Sequence, residues 1–181
     1  MVSLAPVLRA GDLPLAELCA ARLDGELVGL GECFSPIDVV AGPFTRVGAL
    51  TGLWSSRLIA EQRTAAWVWG AALAPPARHQ LCASTGARAR ALDPERCVVR
   101  EVVIDDDEIA VLRSVRVTTP LRTVIDLARF SIRFAETEIE VARQLFDIGG
   151  VCLDDCRDAL DRRRNLPAKK LAWVRLQLAV R

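Results

Sequence analysis

The chain has 181 residues, 51% of them hydrophobic, and a formal net charge of +1. A core of ordinary size is within reach and wholesale disorder is excluded, and no strong overall field draws the molecule to nucleic acid or anionic membrane, so any such partner must meet a local patch. His79 is the single histidine and Lys169 and Lys170 are the only lysines, which rules out multi-histidine metal sites and a lysine-bearing phosphate loop and leaves any nucleophilic triad dependent on His79.

Cysteine occurs at Cys19, Cys33, Cys82, Cys97, Cys152 and Cys156, and no signal peptide is expected. These read as reduced, mostly buried small hydrophobes of a cytoplasmic protein. Cys152 and Cys156 alone supply two of the four ligands zinc needs. No cofactor or metal is expected, and no apolar run reaches the length of a membrane span.

Taken in order, Val2 to Arg9 is apolar and weakly patterned, a short helix or an ordered arm. Asp12 stands as an N-cap, Pro14 falls in the first turn, and Leu15, Leu18, Cys19 and Arg22 follow along a helix that stops at Gly25. Glu26 to Phe34 (ELVGLGECF) reads as strand, turn and strand. Helix, glycine stop and two-stranded wing is the order of a winged helix-turn-helix. Its helix, however, presents Leu13, Pro14, Leu15, Ala16 and Glu17 where a DNA reader needs cations or amides, with Arg22 as its only cation. Residues 1–46 carry three arginines against six carboxylates, so phosphate would repel the module.

Ile37 to Thr51 reads as a Gly- and Pro-containing linker, and Leu53 to Gly70 as a helix with Trp67 and Trp69 in the core. The period then changes to two. His79 to Ser84, Cys97 to Ile104 and Ile109 to Thr118 are expected as three antiparallel strands. Arg88, Arg90 and Arg96 precede them and Arg100, Arg113 and Arg116 alternate along them, forming a basic patch if they share a face. The acidic tetrad Asp105 to Glu108 reads as a solvated hairpin turn rather than a metal site.

Thr118 to Arg129 (TTPLRTVIDLAR) is the most legible helix start. Thr119 can cap, Pro120 occupies the first helical position, and Leu121, Val124, Ile125 and Ala128 recur along one face. Arg122 and Asp126, four apart on the flank, can pair as a surface ion pair. A helix over 135–146 ends at Gly149 and Gly150. A helix over 153–164 carries aspartates early and Arg162, Arg163 and Arg164 at its end, as the macrodipole favours. The last helix, 166–180, is opened by Pro167. Residues 151–181 hold eight cations and four aspartates, so Arg162, Arg163, Arg164, Lys169 and Lys170 are candidate binding residues beside Arg22, Arg113 and Arg116.

The string Val117 to Ala128, with its Thr-Pro cap, Arg122, Thr123 and the Asp126-Leu127-Ala128 segment, resembles AbiEi-like antitoxins of type IV toxin-antitoxin systems. Thr64 to Gly70 and Ala142 to Pro167 resemble further stretches of that family, and Phe34, Ser35 and Pro36 match the end of its wing. The resemblance implies a non-catalytic antitoxin that counteracts a nucleotidyltransferase-type toxin encoded nearby and regulates its own operon by binding operator DNA. Arg122 and Asp126 would then organise the antitoxin domain without catalysing anything. The alternatives are a diverged interaction domain without DNA binding, or a remnant of endonuclease-bearing relatives. The last lacks support in the residues, since no Asp or Glu follows Asp161 to hold a metal. The expected fold class is α+β: a winged-helix-like module over 1–46, then over 47–181 a mixed domain with a small antiparallel sheet and C-terminal helices.

Overall fold

A computed structural model describes residues 5–180; the first part of the N-terminal arm and Arg181 lie outside the described residues. Helix α1 (Leu15–Leu23) starts directly after Pro14. The expected cap is corrected, because the Asp12 carboxylate accepts from the Arg9 backbone N–H (2.8 Å) and closes the turn before the helix. Gly25, at φ +78°, ends α1 in a region that costs a side chain strain. Strands β1 (Leu27–Leu30) and β2 (Cys33–Pro36) then form an antiparallel hairpin. Leu8, Leu18 and Leu27 make a small core here, joined by Ala21 and Phe34.

The expected linker contains a helix, α2 (Pro43–Leu50), whose Val47, Ala49 and Leu50 are buried. Glycine and proline hid it, yet Pro43 sits in the first turn, where a missing N–H costs nothing. Arg46 fixes it to the main body by donating to the carbonyls of Trp67 (2.8 Å) and Ala72 (3.0 Å). The helix expected over 53–70 is likewise corrected. Its first half is loop and a two-residue strand, β3 (Ile59–Ala60), and only Gln62–Trp69 is helical, as α3. Tertiary pairing decided this: β3 sits between two partner strands, and Ile59 and Ala60 are fully buried. Trp67 is 2% exposed, and Trp69 donates its indole N–H to the Thr118 carbonyl (2.8 Å), so both anchor α3 to the body.

The main sheet adds β4 (His79–Ser84), β5 (Cys97–Val102), β6 (Ile109–Leu112) and β7 (Val115–Thr118) in the order β5-β4-β3-β7-β6. The α+β class stands, but the sheet is mixed where an antiparallel one was expected. β4 runs parallel to β5 and β3 parallel to β7, while β3–β4 and β6–β7 are antiparallel. The connection over 85–96 is long enough to bring the chain back for a parallel pairing. The run over 109–118 folds back on itself, with Arg113 at φ +55° in the turn.

Helix α4 (Pro120–Phe130) is the hub of the helical layer, with Val124, Ile125, Leu127 and Ala128 buried. Thr119 accepts from the Arg122 N–H at 3.4 Å. Arg175 closes its other end, donating to the carbonyls of Ala128 and Ser131 at 3.0 Å each. Around it pack α5 (Glu136–Gly149), α6 (Leu153–Asp161) and α7 (Lys169–Ala179). Gly149 is required for this packing, since a Cβ there would lie 2.7 Å from Pro120 Cβ. The expected helix to Arg164 is corrected: α6 stops at Asp161, and Ala168 at φ +59° separates it from α7.

Candidate functional site

Arg122 and Asp126, expected as a surface pair, are buried, 4% and 0% exposed. Their four-residue spacing brings the Arg122 Nε to 2.8 Å from Asp126 Oδ2, but the same face of α4 is turned toward Arg100 of β5 and the Val103 carbonyl rather than water. Asp126 also accepts from Arg129 Nη1 (3.0 Å) and lies 3.8 Å from Arg100. Arg100, on β5, makes a two-pronged pair with Glu61, from Nε at 2.7 Å and Nη2 at 2.6 Å. Such a fork matches a carboxylate in both charge and shape.

Glu61 is 1% exposed and joins β3 to α3. The next residue, Gln62, takes φ +47° and donates to Glu61 (3.1 Å). A non-glycine residue in that region costs about 1–3 kcal/mol, which the surrounding ion pairs offset. Burial pushes the Glu61 carboxyl above its ordinary range, against the pull of Arg100. At Arg122, burial favours the neutral form but Asp126 and Glu108 outweigh it, so its affinity for the proton is raised. Burial lowers Arg129, with Asp126 opposing.

The network continues outward. Arg122 Nη1 donates to Glu108 (2.7 Å), and Arg163 donates to Glu108 (2.6 Å) and Asp105 (2.9 Å). Arg162 reaches Asp107 at 2.9 Å. The acidic tetrad is solvated at Asp105, Asp106 and Asp107 as expected, but it is a 3₁₀ turn, residues 106–108, rather than a hairpin, and Asp105, Asp107 and Glu108 pair with Arg162 and Arg163. Two like-charged runs, each with a sufficient local explanation, thus share three ion pairs across more than fifty residues of sequence. Among the described residues, no group of histidines, cysteines and carboxylates gathers that could hold a metal ion.

Above this network lies a cleft of about 290 Å³ between β5, α4 and the turn from Arg163 to Pro167. Arg100, Arg122, Arg129 and Arg163 line it. The Phe130 ring is covered by the guanidinium groups of Arg100 at 4.1 Å and Arg129 at 4.4 Å. A larger cleft, about 500 Å³, adjoins the N-terminal hairpin; Arg22 lines it at the edge, and its other ionisable groups are engaged, Arg46 with carbonyls, Glu32 with Arg96, and His79 with Thr64 at 3.5 Å.

The remaining candidate residues are scattered. Arg22 is exposed and lies against Gly29 of the hairpin. Arg113 is exposed in the β6–β7 turn. The register Arg116–Ile59–Cys82–Arg100 puts Arg116 and Arg100 on one face, but three strands apart, roughly 14 Å, and Arg100 is committed to Glu61. Lys169 pairs with Asp161 at 2.5 Å, while Arg164 and Lys170 are exposed. The sequence reading did not single out Glu61, Glu108, Arg129 or Phe130 as site residues. The legible signal was a lone charge inside an apolar run at Asp126 within VIDLA; Glu61, followed by Gln62 and Arg63, carried no such signal.

No curated protein matches the chain. The sequence does match the family model of the AbiEi antitoxin C-terminal domain over residues 58–155, more than half of its length. That span holds Glu61, Arg100, Glu108, Arg122, Asp126 and Arg129, all of the network except its link to Arg162 and Arg163, so the domain and the network coincide and the chain belongs to the AbiEi antitoxin family.

Proposed function

We propose that this protein is a non-catalytic antitoxin that counteracts a nucleotidyltransferase-type toxin encoded beside it in the cytoplasm. The family match over residues 58–155 carries this reading. The engagement of the carboxylates supports the absence of catalysis: Glu61, Asp126 and Glu108 are each bonded to one or more arginines of the protein itself, so their oxygens are not presented to a substrate. His79 is buried against Trp54 and bonded to a threonine hydroxyl, an arrangement of a core residue rather than a catalytic one.

The test is co-expression with the neighbouring gene product. Restored growth with the intact protein is expected, and persistent toxicity beside a folded, abundant protein would overturn the reading.

Regulation of its own operon is a second reading, supported by the helix-and-hairpin order of α1, β1 and β2 and their separate small core. It treats 1–46 as a winged-helix-like module and 47–181 as the antitoxin domain. Arg22, Arg113, Arg116, Arg164 and Lys170 are the cations left for phosphate contacts, because Arg162, Arg163 and Lys169 are paired. Titration with duplex DNA from upstream of the gene, beside a scrambled duplex at two salt concentrations, decides it. Selective binding that weakens with salt is expected of a repressor; equal or absent binding leaves a role confined to the toxin.

A further inference from the structure

The buried network is neutral as a whole but polarised in space. Its carboxylates Glu61 and Asp126 are 1% and 0% exposed, whereas the side chains of Arg100 and Arg163 are 27% and 22% exposed and line the cleft. The charges of Glu61 and Asp126 stand behind and the Arg100 guanidinium in front of them, while Glu108 and Asp105 flank Arg163 at 18% and 66% exposure. Arg100 uses Nε and Nη2 on Glu61; Arg129 uses Nε on the Pro167 carbonyl and Nη1 on Asp126; Arg163 uses Nη2 on Asp105 and Glu108. Arg100 Nη1, Arg129 Nη2 and the Nε and Nη1 of Arg163 have no protein hydrogen bond among the described residues. No buried side-chain nitrogen or oxygen among the described residues lacks a partner, so these donors are open to solvent.

Three preorganised guanidinium groups thus meet at one small cleft, from β5, α4 and the α6–α7 turn. Their entropy is already lost to the carboxylates behind them, which lowers the cost of binding. We propose that the cleft binds a phosphate group. A carboxylate is satisfied by one fork, whereas a phosphate offers several acceptor oxygens in different directions and suits donors that arrive from three elements. At about 30 Å³ for each water, the cleft holds a phosphate with part of its hydration. A base cannot stack on Phe130, since guanidinium groups cover its ring. The phosphate is therefore the group that every ligand of the cleft must carry. Glu101 is the one carboxylate in the lining, and Arg88 stands 3.4 Å from it.

The experiment is isothermal titration of the full chain with inorganic phosphate, AMP and adenosine at constant ionic strength. Saturable binding of phosphate or AMP, with none of adenosine, is the expected result. Equal affinity for both phosphate compounds assigns the site to the free ion as well, and preference for AMP assigns it to a nucleotide. Asn165→Asp places a negative charge on an exposed lining residue without removing any ion pair, and is expected to weaken binding about tenfold or more. Arg163→Gln should weaken it similarly; should that variant fold poorly, Asn165→Asp decides alone. No saturable binding of either phosphate compound, adenosine binding as tightly as AMP, or unchanged affinity in Asn165→Asp would overturn the proposal.

Discussion

Replacing Asp126 with asparagine keeps the side chain's shape and removes its charge. Asp126 is fully buried, with Arg122 at 2.8 Å, Arg129 at 3.0 Å and Arg100 at 3.8 Å. After the change Arg122 keeps Glu108 and Arg100 keeps Glu61, but Arg129 loses its only carboxylate while it remains 8% exposed. Breaking a buried pair costs about 3–5 kcal/mol, because the surviving charge stays in a poor solvent. With two of the three arginines still partnered, the lower half of that range is expected, about 3–4 kcal/mol. Against a total stability of roughly 5–15 kcal/mol this is a large share. In urea, with a slope of about 2 kcal/mol per molar, the midpoint should fall by about 1.5–2 M. Asp105→Asn is the control: that carboxylate is 66% exposed, and its loss should shift stability by about 0.5 kcal/mol or less. A loss below about 1 kcal/mol in Asp126→Asn would refute the reasoning, because it would mean the arginines relax into water when released. The double variant with Arg129→Gln should recover at least half of the loss if the stranded guanidinium is its cause.

Three further outcomes are expected. Burial lowers the His79 pKa below its ordinary 6.5; the unfolded chain then binds more protons in that window, so stability is fully present above about pH 6.5 and is lost as pH falls through the lower folded value. Unfolding midpoints between pH 7.5 and 5 should show this slope, and it should shrink in His79→Gln. Gly149→Ala places a methyl group 2.7 Å from Pro120 and 2.9 Å from Val151, and should lower stability by about 1–3 kcal/mol in thermal unfolding, with no comparable loss for Gly42→Ala, where space is open. Arg162→Ala should leave stability within about 0.5 kcal/mol, since both partners of its pair are more than half exposed; Arg163→Ala should cost about 1–2 kcal/mol through its bond to the half-buried Glu108. Equal effects of the two arginine changes would show that the pairing is not what orders the turn.

Local chemistry settled a good deal of this protein before folding is considered. Thr119 and Pro120 start α4, the apolar period of Val124, Ile125 and Ala128 turns it toward a core, and Gly25 and Gly150 end helices at positive φ, because caps and left-handed glycines act within a few residues. The same segment carries the family resemblance that the match over 58–155 confirms. Tertiary structure decided what depends on distant partners. Ile59 and Ala60 became a central strand because β4 and β7 flank them, although the run around them is helix-prone. The i,i+4 spacing of Arg122 and Asp126 fixes that they can pair, and is silent on whether water or β5 lies beyond them. The arginine triplet and the acidic tetrad each satisfy a local rule, one the helix dipole and the other a solvated turn. Their mutual pairing comes only when α6 ends early and its C-terminal turn folds over β5 and α4, because the energy of a charge depends on what surrounds it and not on its neighbours in sequence.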